Sequence, residues 1–143
     1  MATPGSYVLD VELSRPVRLR VGRLGTSCFP QGRYLYVGSA MGGLEGRVSR
    51  HARGGRLHWH VDYLLRKGQL RGAWVCPSLE RLECLFAQVL VEAREEAQTT
   101  VVMQGFGSSD CRCSAHLFFA EESLDLPRVL SSVSDVPLKY WSL

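Results

Sequence analysis

Apolar and acidic residues alternate through Val8-Leu9-Asp10-Val11-Glu12-Leu13, the pattern of a half-buried strand, and predict a strand over 6–13. A second alternation, Val17-Arg18-Leu19-Arg20-Val21, is bounded by Pro16 and Gly22 and predicts an inserted hairpin strand over 17–22. Gly25 and Pro30-Gln31-Gly32 supply turn chemistry before the aromatic run Tyr34-Leu35-Tyr36-Val37, read as a strand over 33–38. Glycines at 38, 42 and 43 end it, and a helix over 44–53 follows, carrying Arg47, Arg50, His51 and Arg53. A short helix over 59–66 and a strand over 70–75 come next.

The longest helical pattern spans 78–95. Ser78 offers an N-cap, and Leu79, Leu82, Phe86, Val89, Leu90 and Ala93 recur at helical spacing as a buried stripe. Beyond it lie an apolar run at Val101-Val102-Met103, a glycine/serine loop, a strand over Ala115 to Ala120 and an irregular tail. Strands and helices mixed in this order predict a small α/β fold around a mainly antiparallel sheet, flanked by helices. A chain of 143 residues is most simply one domain, with a core over about 5–95 and an extension over about 96–143.

Composition narrows the setting. No apolar run approaches the ~20 residues of a membrane helix, and the N-terminal residues lack a signal-peptide pattern. Five cysteines without framework spacing suit a reducing compartment, so a cytoplasmic location is expected. The net charge of +3 conceals a basic segment: residues 15–71 carry +10, against −2 before and −5 after it. That asymmetry fits a polyanionic partner and equally an arginine-rich solvated surface.

The chemistry-bearing residues fall in the same segment and just beyond it. Tyr36 at a strand end and Arg47 on the next helix place a phenol near a guanidinium, an arrangement able to hold a phosphate. Tyr7 and Tyr36 each offer a hydroxyl to orient or deprotonate water; a free tyrosine, with a pKa of ~10, does so as a base only when cations lower it. Glu83 lies at the edge of the predicted apolar stripe, where burial costs several kcal/mol, on the order of known desolvation penalties, unless it is paired or ligates a metal. The alternative to a ligand is an ion pair with Arg47 or another arginine. His58, His60, Cys111, Cys113 and His116 form a second supply of donors that suits structural zinc.

Tyr7 after Gly5-Ser6, Tyr36-Val37-Gly38, the helical Arg47 and His51, the segment His58-Trp59-His60-Val61-Asp62-Tyr63-Leu64-Leu65 and the segment 105–117 occur in one order. That order resembles the GIY-YIG nucleases, and the two long segments resemble their Uri-type endonuclease branch of bacteria and archaea, over roughly Gly5 to Phe119. Three departures stand out: Ser6 replaces an aliphatic residue, the gap from Tyr7 to Tyr36 is longer than in most relatives, and Ser39-Ala40-Met41 lacks the lysine some relatives carry.

The resemblance implies a divalent-metal-dependent DNA endonuclease using Mg²⁺ or Mn²⁺, with Glu83 as metal ligand. Arg47 would stabilise the transition state, Tyr36 or Tyr7 would activate water, and His51 would assist the leaving group or bind phosphate. Gly38, Ser39, Arg50, His58, His60, Ser108, Ser109 and Asp110 would contact the substrate. Fusion of some relatives to DNA glycosylase-like enzymes implies a repair role, and RNA stands beside DNA as a substrate class. Two other readings stay open: a non-catalytic nucleic-acid-binding module with a basic cleft, and a zinc-stabilised interaction domain.

Overall fold

In the computed structural model, which describes residues 2–93, 98–133 and 138–143, the chain forms a mixed α/β domain. Strands β1 (Gly5–Leu13), β4 (Gly32–Ala40), β5 (Gln69–Pro77), β6 (Thr99–Thr100), β7 (Leu117–Ala120) and β8 (Lys139–Ser142) build one antiparallel sheet. Their order across it is β6-β7-β4-β1-β5-β8. The inserted strand β2 (Val17–Arg20) pairs only with β3 (Thr26–Phe29), making a separate hairpin around a 3₁₀ turn at Gly22–Leu24.

β1 is central and buried on both faces, so its alternation sorts residues between two cores. Tyr7, Leu9, Val11 and Leu13 join the core shared with helix α1 (Leu44–Arg53), helix α2 (His60–Leu65) and the hairpin. Val8 joins Leu35, Val37 and Phe118 under helix α3 (Glu83–Glu92) and helix α4 (Leu126–Leu130). The acid at position 10 is thus not solvent-facing, as a half-buried strand would have it. Asp10 receives both Arg33 Nε at 3.2 Å and Nη2 at 3.3 Å, and Arg33 Nη1 also donates to the carbonyls of Glu121 and Leu124. This pairing satisfies the two buried charges and ties β1 and β4 to the segment after β7.

The long helix expected over 78–95 is shorter. β5 continues through Pro77, and the α-helix begins at Glu83; residues 94 and 95 lie outside the described residues. Ser78 Oγ does accept an amide hydrogen bond, from Glu80 at 3.0 Å, but it closes a turn ahead of the helix. Leu79 is consequently 88% exposed and not part of the stripe, whereas Leu82, Phe86 and Leu90 are buried as expected. α1 occupies Leu44–Arg53 as the periodicity indicates. Strand β3, helix α4 and strand β8 are elements that the sequence reading left as turn or irregular tail.

Candidate functional site

The register between β1 and β4 pairs Tyr7 with Gly38 and Leu9 with Tyr36, which puts both tyrosines on one face of the sheet. Gly38 permits this: a Cβ there would stand 2.6 Å from both Cζ and Oη of Tyr7. Gly107, with φ +73, allows the loop after β6 to close over Tyr36, since a Cβ would meet Tyr36 Cε1 at 2.9 Å. Together with Arg47, Trp59, Arg81, Glu83, Cys84, Asp110, Cys111 and His116, the tyrosines line a cleft of about 340 Å³.

Each wall has an identifiable support. Arg47 projects from α1, its Nη1 donating to the Ser39 carbonyl at 3.0 Å and its guanidinium resting 4.7 Å from the Trp59 ring centre. Arg50 stacks on the same ring at 4.7 Å. Such contacts contribute about 0.5–2 kcal/mol and hold the fork in place. Tyr7 Oη lies 2.9 Å from Nε2 of His51, one helical turn after Arg47. Burial pushes the Tyr7 phenol up to about 12, opposed by the charge and hydrogen bonding of Arg47. Burial also raises Tyr36 and drives His51 down to about 4, so near neutral pH both phenols keep their protons and the imidazole is uncharged. Nδ1 of His51 is buried without a partner.

Several expected substrate contacts are committed elsewhere. Arg50 donates from Nη1 to Asp62 at 2.8 Å and from Nη2 to the Arg56 carbonyl, so it is an internal brace. Asp62 also accepts the amides of His58 and Trp59, each at 2.7 Å, fixing the turn that presents the indole. Ser39 is buried and shares a 2.8 Å hydrogen bond with Ser6. Gly38, Ser39 and Asp110 do line the cleft, Ser109 is exposed, and Ser108 is buried with its Oγ unpartnered among the described residues. His51 is buried, is not among the residues that line the cleft, and its Nε2 meets the Tyr7 hydroxyl. Glu83 opens α3 with its side chain 21% exposed, and it pairs with Arg81 at 3.9 Å, another arginine than Arg47 but within the ion-pair alternative.

The metal-donor reading changes membership. His58 is exposed with its ring edge against Trp59, and His60 Nδ1 accepts the amide of Gly107 at 2.7 Å. His60 therefore anchors the loop, and neither histidine joins the cysteines. Cys84, absent from the sequence reading, does: one donor atom from each of Cys84, Cys111, Cys113 and His116 lies within 4.8 Å of the others. Nothing in the sequence links Cys84 to the others, because they lie on different segments. This Cys/His group is the one cluster of three or more possible ligands among the described residues, and Glu83 is outside it. Its soft donors suit zinc and not magnesium.

The antiparallel sheet, its two helical layers and this cleft define a small α/β domain with a tyrosine- and arginine-lined site beside a metal-capable cluster. The chain belongs to the family described as "Domain of unknown function DUF123", whose family model matches residues 6–136. No curated protein and no solved structure matches the chain. Among the described residues no helix is long and apolar enough to cross a membrane.

Proposed function

We propose that this protein is a divalent-metal-dependent nuclease of the GIY-YIG type, Uri-type branch, hydrolysing phosphodiester bonds in DNA. The observation that carries this reading is the convergence of Tyr7, Tyr36, Arg47 and Glu83 on one cleft, although they come from four separate elements. Buried tyrosine cores are common, but they do not require a part-exposed carboxylate and a braced guanidinium in the same opening.

The donors fit the hard cation that the resemblance implies. Glu83 presents a part-exposed carboxylate, Asp110 adds a second along the lining, and the cleft is open to solvent. Mg²⁺ and Mn²⁺ take oxygen ligands from one or two carboxylates and complete their shell with water and phosphate. Such an ion, held by Glu83, would polarise the scissile phosphate.

The protein's own groups divide the remaining work. Arg47, fixed by Ser39 and Trp59, offers its free N–H groups to phosphoryl oxygens as negative charge grows there. Tyr36 stays protonated and forms no hydrogen bond through its hydroxyl among the described residues, so it can donate to a phosphate oxygen. In the tautomer whose Nε2 accepts, Tyr7 donates its proton to His51 and keeps its oxygen lone pairs for the attacking water. Transferring that proton outright between groups at about 12 and about 4 costs on the order of ten kcal/mol. Tyr7 therefore orients the water rather than resting as a phenolate. The water oxygen bonds to phosphorus and releases its proton to bulk solvent, the bond to the leaving sugar oxygen breaks, and that oxygen takes a proton from solvent.

Supercoiled plasmid incubated with the protein and Mg²⁺ or Mn²⁺ tests the reading. Nicking by wild type that both Glu83→Ala and Arg47→Ala abolish is the expected result. DNA binding without cleavage under either metal would leave a binding module, and cleavage confined to an RNA substrate would move the substrate class.

A further inference from the structure

Four donor atoms from two distant segments converge beside the cleft. Cys84 sits in the first turn of α3; Cys111, Cys113 and His116 close the loop that precedes β7. Nε2 of His116 lies 3.4 Å from Cys111 Sγ and 3.9 Å from Cys84 Sγ, and all four donors fall within 4.8 Å. A tetrahedral zinc with arms of about 2.3 Å has ligand–ligand edges of about 3.8 Å. The donors are therefore already near a zinc-binding geometry.

The geometry points to a structural zinc centre formed by Cys84, Cys111, Cys113 and His116. Three thiolates and an imidazole are a donor set that zinc takes in closed, four-coordinate sites, with no position left for water or substrate. Ordinary packing of small cysteines explains one or two buried thiols, but it does not bring three of them and a histidine nitrogen face to face. A zinc bound there would join two segments that are far apart in the sequence. Residues 101–116 contain no helix or strand, and backbone hydrogen bonds link Gly105 to Ser114 and Phe106 to His116, closing the loop upon itself. To α3, 27 residues upstream of Cys111, the cluster supplies the covalent-strength link.

Where the staple falls matters for the cleft. Cys84 follows Glu83, and Cys111 follows Asp110, so the same ion would fix the spacing between two carboxylate-bearing walls. This consequence rests on the nuclease reading; the zinc site itself does not.

The test is metal content and thiol protection of the full chain, purified under reductant. Wild type and Cys28→Ser, whose thiol is exposed and remote from the cluster, should each contain about one equivalent of zinc. Cys113→Ser should contain far less. Replacing zinc with Co²⁺ should produce a thiolate-to-cobalt charge-transfer band and the absorption of a tetrahedral site. In native wild type a thiol reagent should leave Cys84, Cys111 and Cys113 protected until 1,10-phenanthroline removes the metal. Wild-type readouts keep the test valid if Cys113→Ser does not fold. Folded wild type that lacks zinc, shows no cobalt–thiolate band on titration and reacts at these thiols without chelator overturns the proposal. Zinc binding without plasmid cleavage would sink the nuclease reading and leave this one standing.

Discussion

The hydroxyl of Ser6 accepts the backbone N–H of Leu82 at 2.9 Å, one residue before Glu83. Ser6 also shares a hydrogen bond with Ser39, whose carbonyl receives Arg47. A single buried oxygen thus connects the start of β1, the end of β4 and the entry to α3. Ser6, one of the residues that depart from the GIY-YIG pattern, holds the backbone just ahead of the carboxylate-bearing helix. Ser6→Val leaves the Leu82 amide and the Ser39 hydroxyl unsatisfied, and each such buried group costs about 1–3 kcal/mol. Urea denaturation should register a loss in that range, whereas Ser6→Thr, if it retains the hydroxyl's direction, should lose less.

His51 makes stability depend on acidity. Its folded-state pKa is depressed to about 4 by burial, against an ordinary value of 6.5. Between those values the unfolded chain binds a proton that the folded protein refuses, so stability rises with pH across that window and is lost as pH falls through it. The full depression corresponds to about 3 kcal/mol. Denaturation midpoints followed from pH 7 to pH 4 should fall for wild type, and His51→Asn should flatten that limb. Parallel slopes in the two proteins would remove His51 as the cause.

Much of this arrangement was legible before any coordinates. The aromatic run at 33–38 and the glycines that end it locate β4 and the start of α1, because strand propensity and glycine punctuation are local signals. The start of α3 was not legible: Ser78 is a good local cap, but β5 pairs on through Pro77, the Ser78 amide donates to the Pro4 carbonyl, and the hydroxyl of Ser6, 76 residues away, takes the Leu82 amide just before the helix. Cys84 escaped for the same reason, since cysteine spacing along the chain says nothing about a loop folding back onto a helix. Arg50, expected at the substrate, pairs instead with Asp62, because the turn at 54–59 brings α2 back against α1.

Arg47 is held by shape as much as charge. One of its N–H groups is spent on Ser39, and its flat face lies on Trp59. Lysine can supply a point charge but cannot stack and fork at once. Arg47→Lys should therefore fold normally by circular dichroism and still lose about 10²-fold in plasmid cleavage, in the range for removing one preorganised donor. Activity within twofold of wild type would reduce Arg47 to a general electrostatic role.

Gly38 provides a probe of Tyr7 that leaves the phenol intact. An added Cβ would sit 2.6 Å from Tyr7 Oη, well inside van der Waals contact, so Gly38→Ala must move the ring or the strand. Because the clash is at the hydroxyl end, the Tyr7–His51 hydrogen bond should be what yields. Cleavage should fall by more than tenfold, since small misplacements of a positioning group carry rate costs of that size. A rate equal to that of wild type would mean that Tyr7 need not occupy its present position.

The two tyrosines should separate in steady-state kinetics. Tyr7 touches His51 and faces Arg47, so its hydroxyl is already oriented and is assigned to the attacking water. Tyr36 faces the cleft without a protein hydrogen bond among the described residues, and it is assigned to a phosphate oxygen present in both ground and transition states. Removing a uniform binding contact raises KM and spares kcat, whereas removing an interaction made in the transition state lowers kcat. Tyr36→Phe should accordingly raise KM several-fold with kcat nearly unchanged. Tyr7→Phe should lower kcat by about 10²-fold, the cost of losing the alignment of a reactant. It should also cost about 1–3 kcal/mol of stability, because Nε2 of His51 loses its partner. The opposite kinetic pattern would exchange the two roles, making Tyr36 the residue that orients water and Tyr7 the one that holds the phosphate.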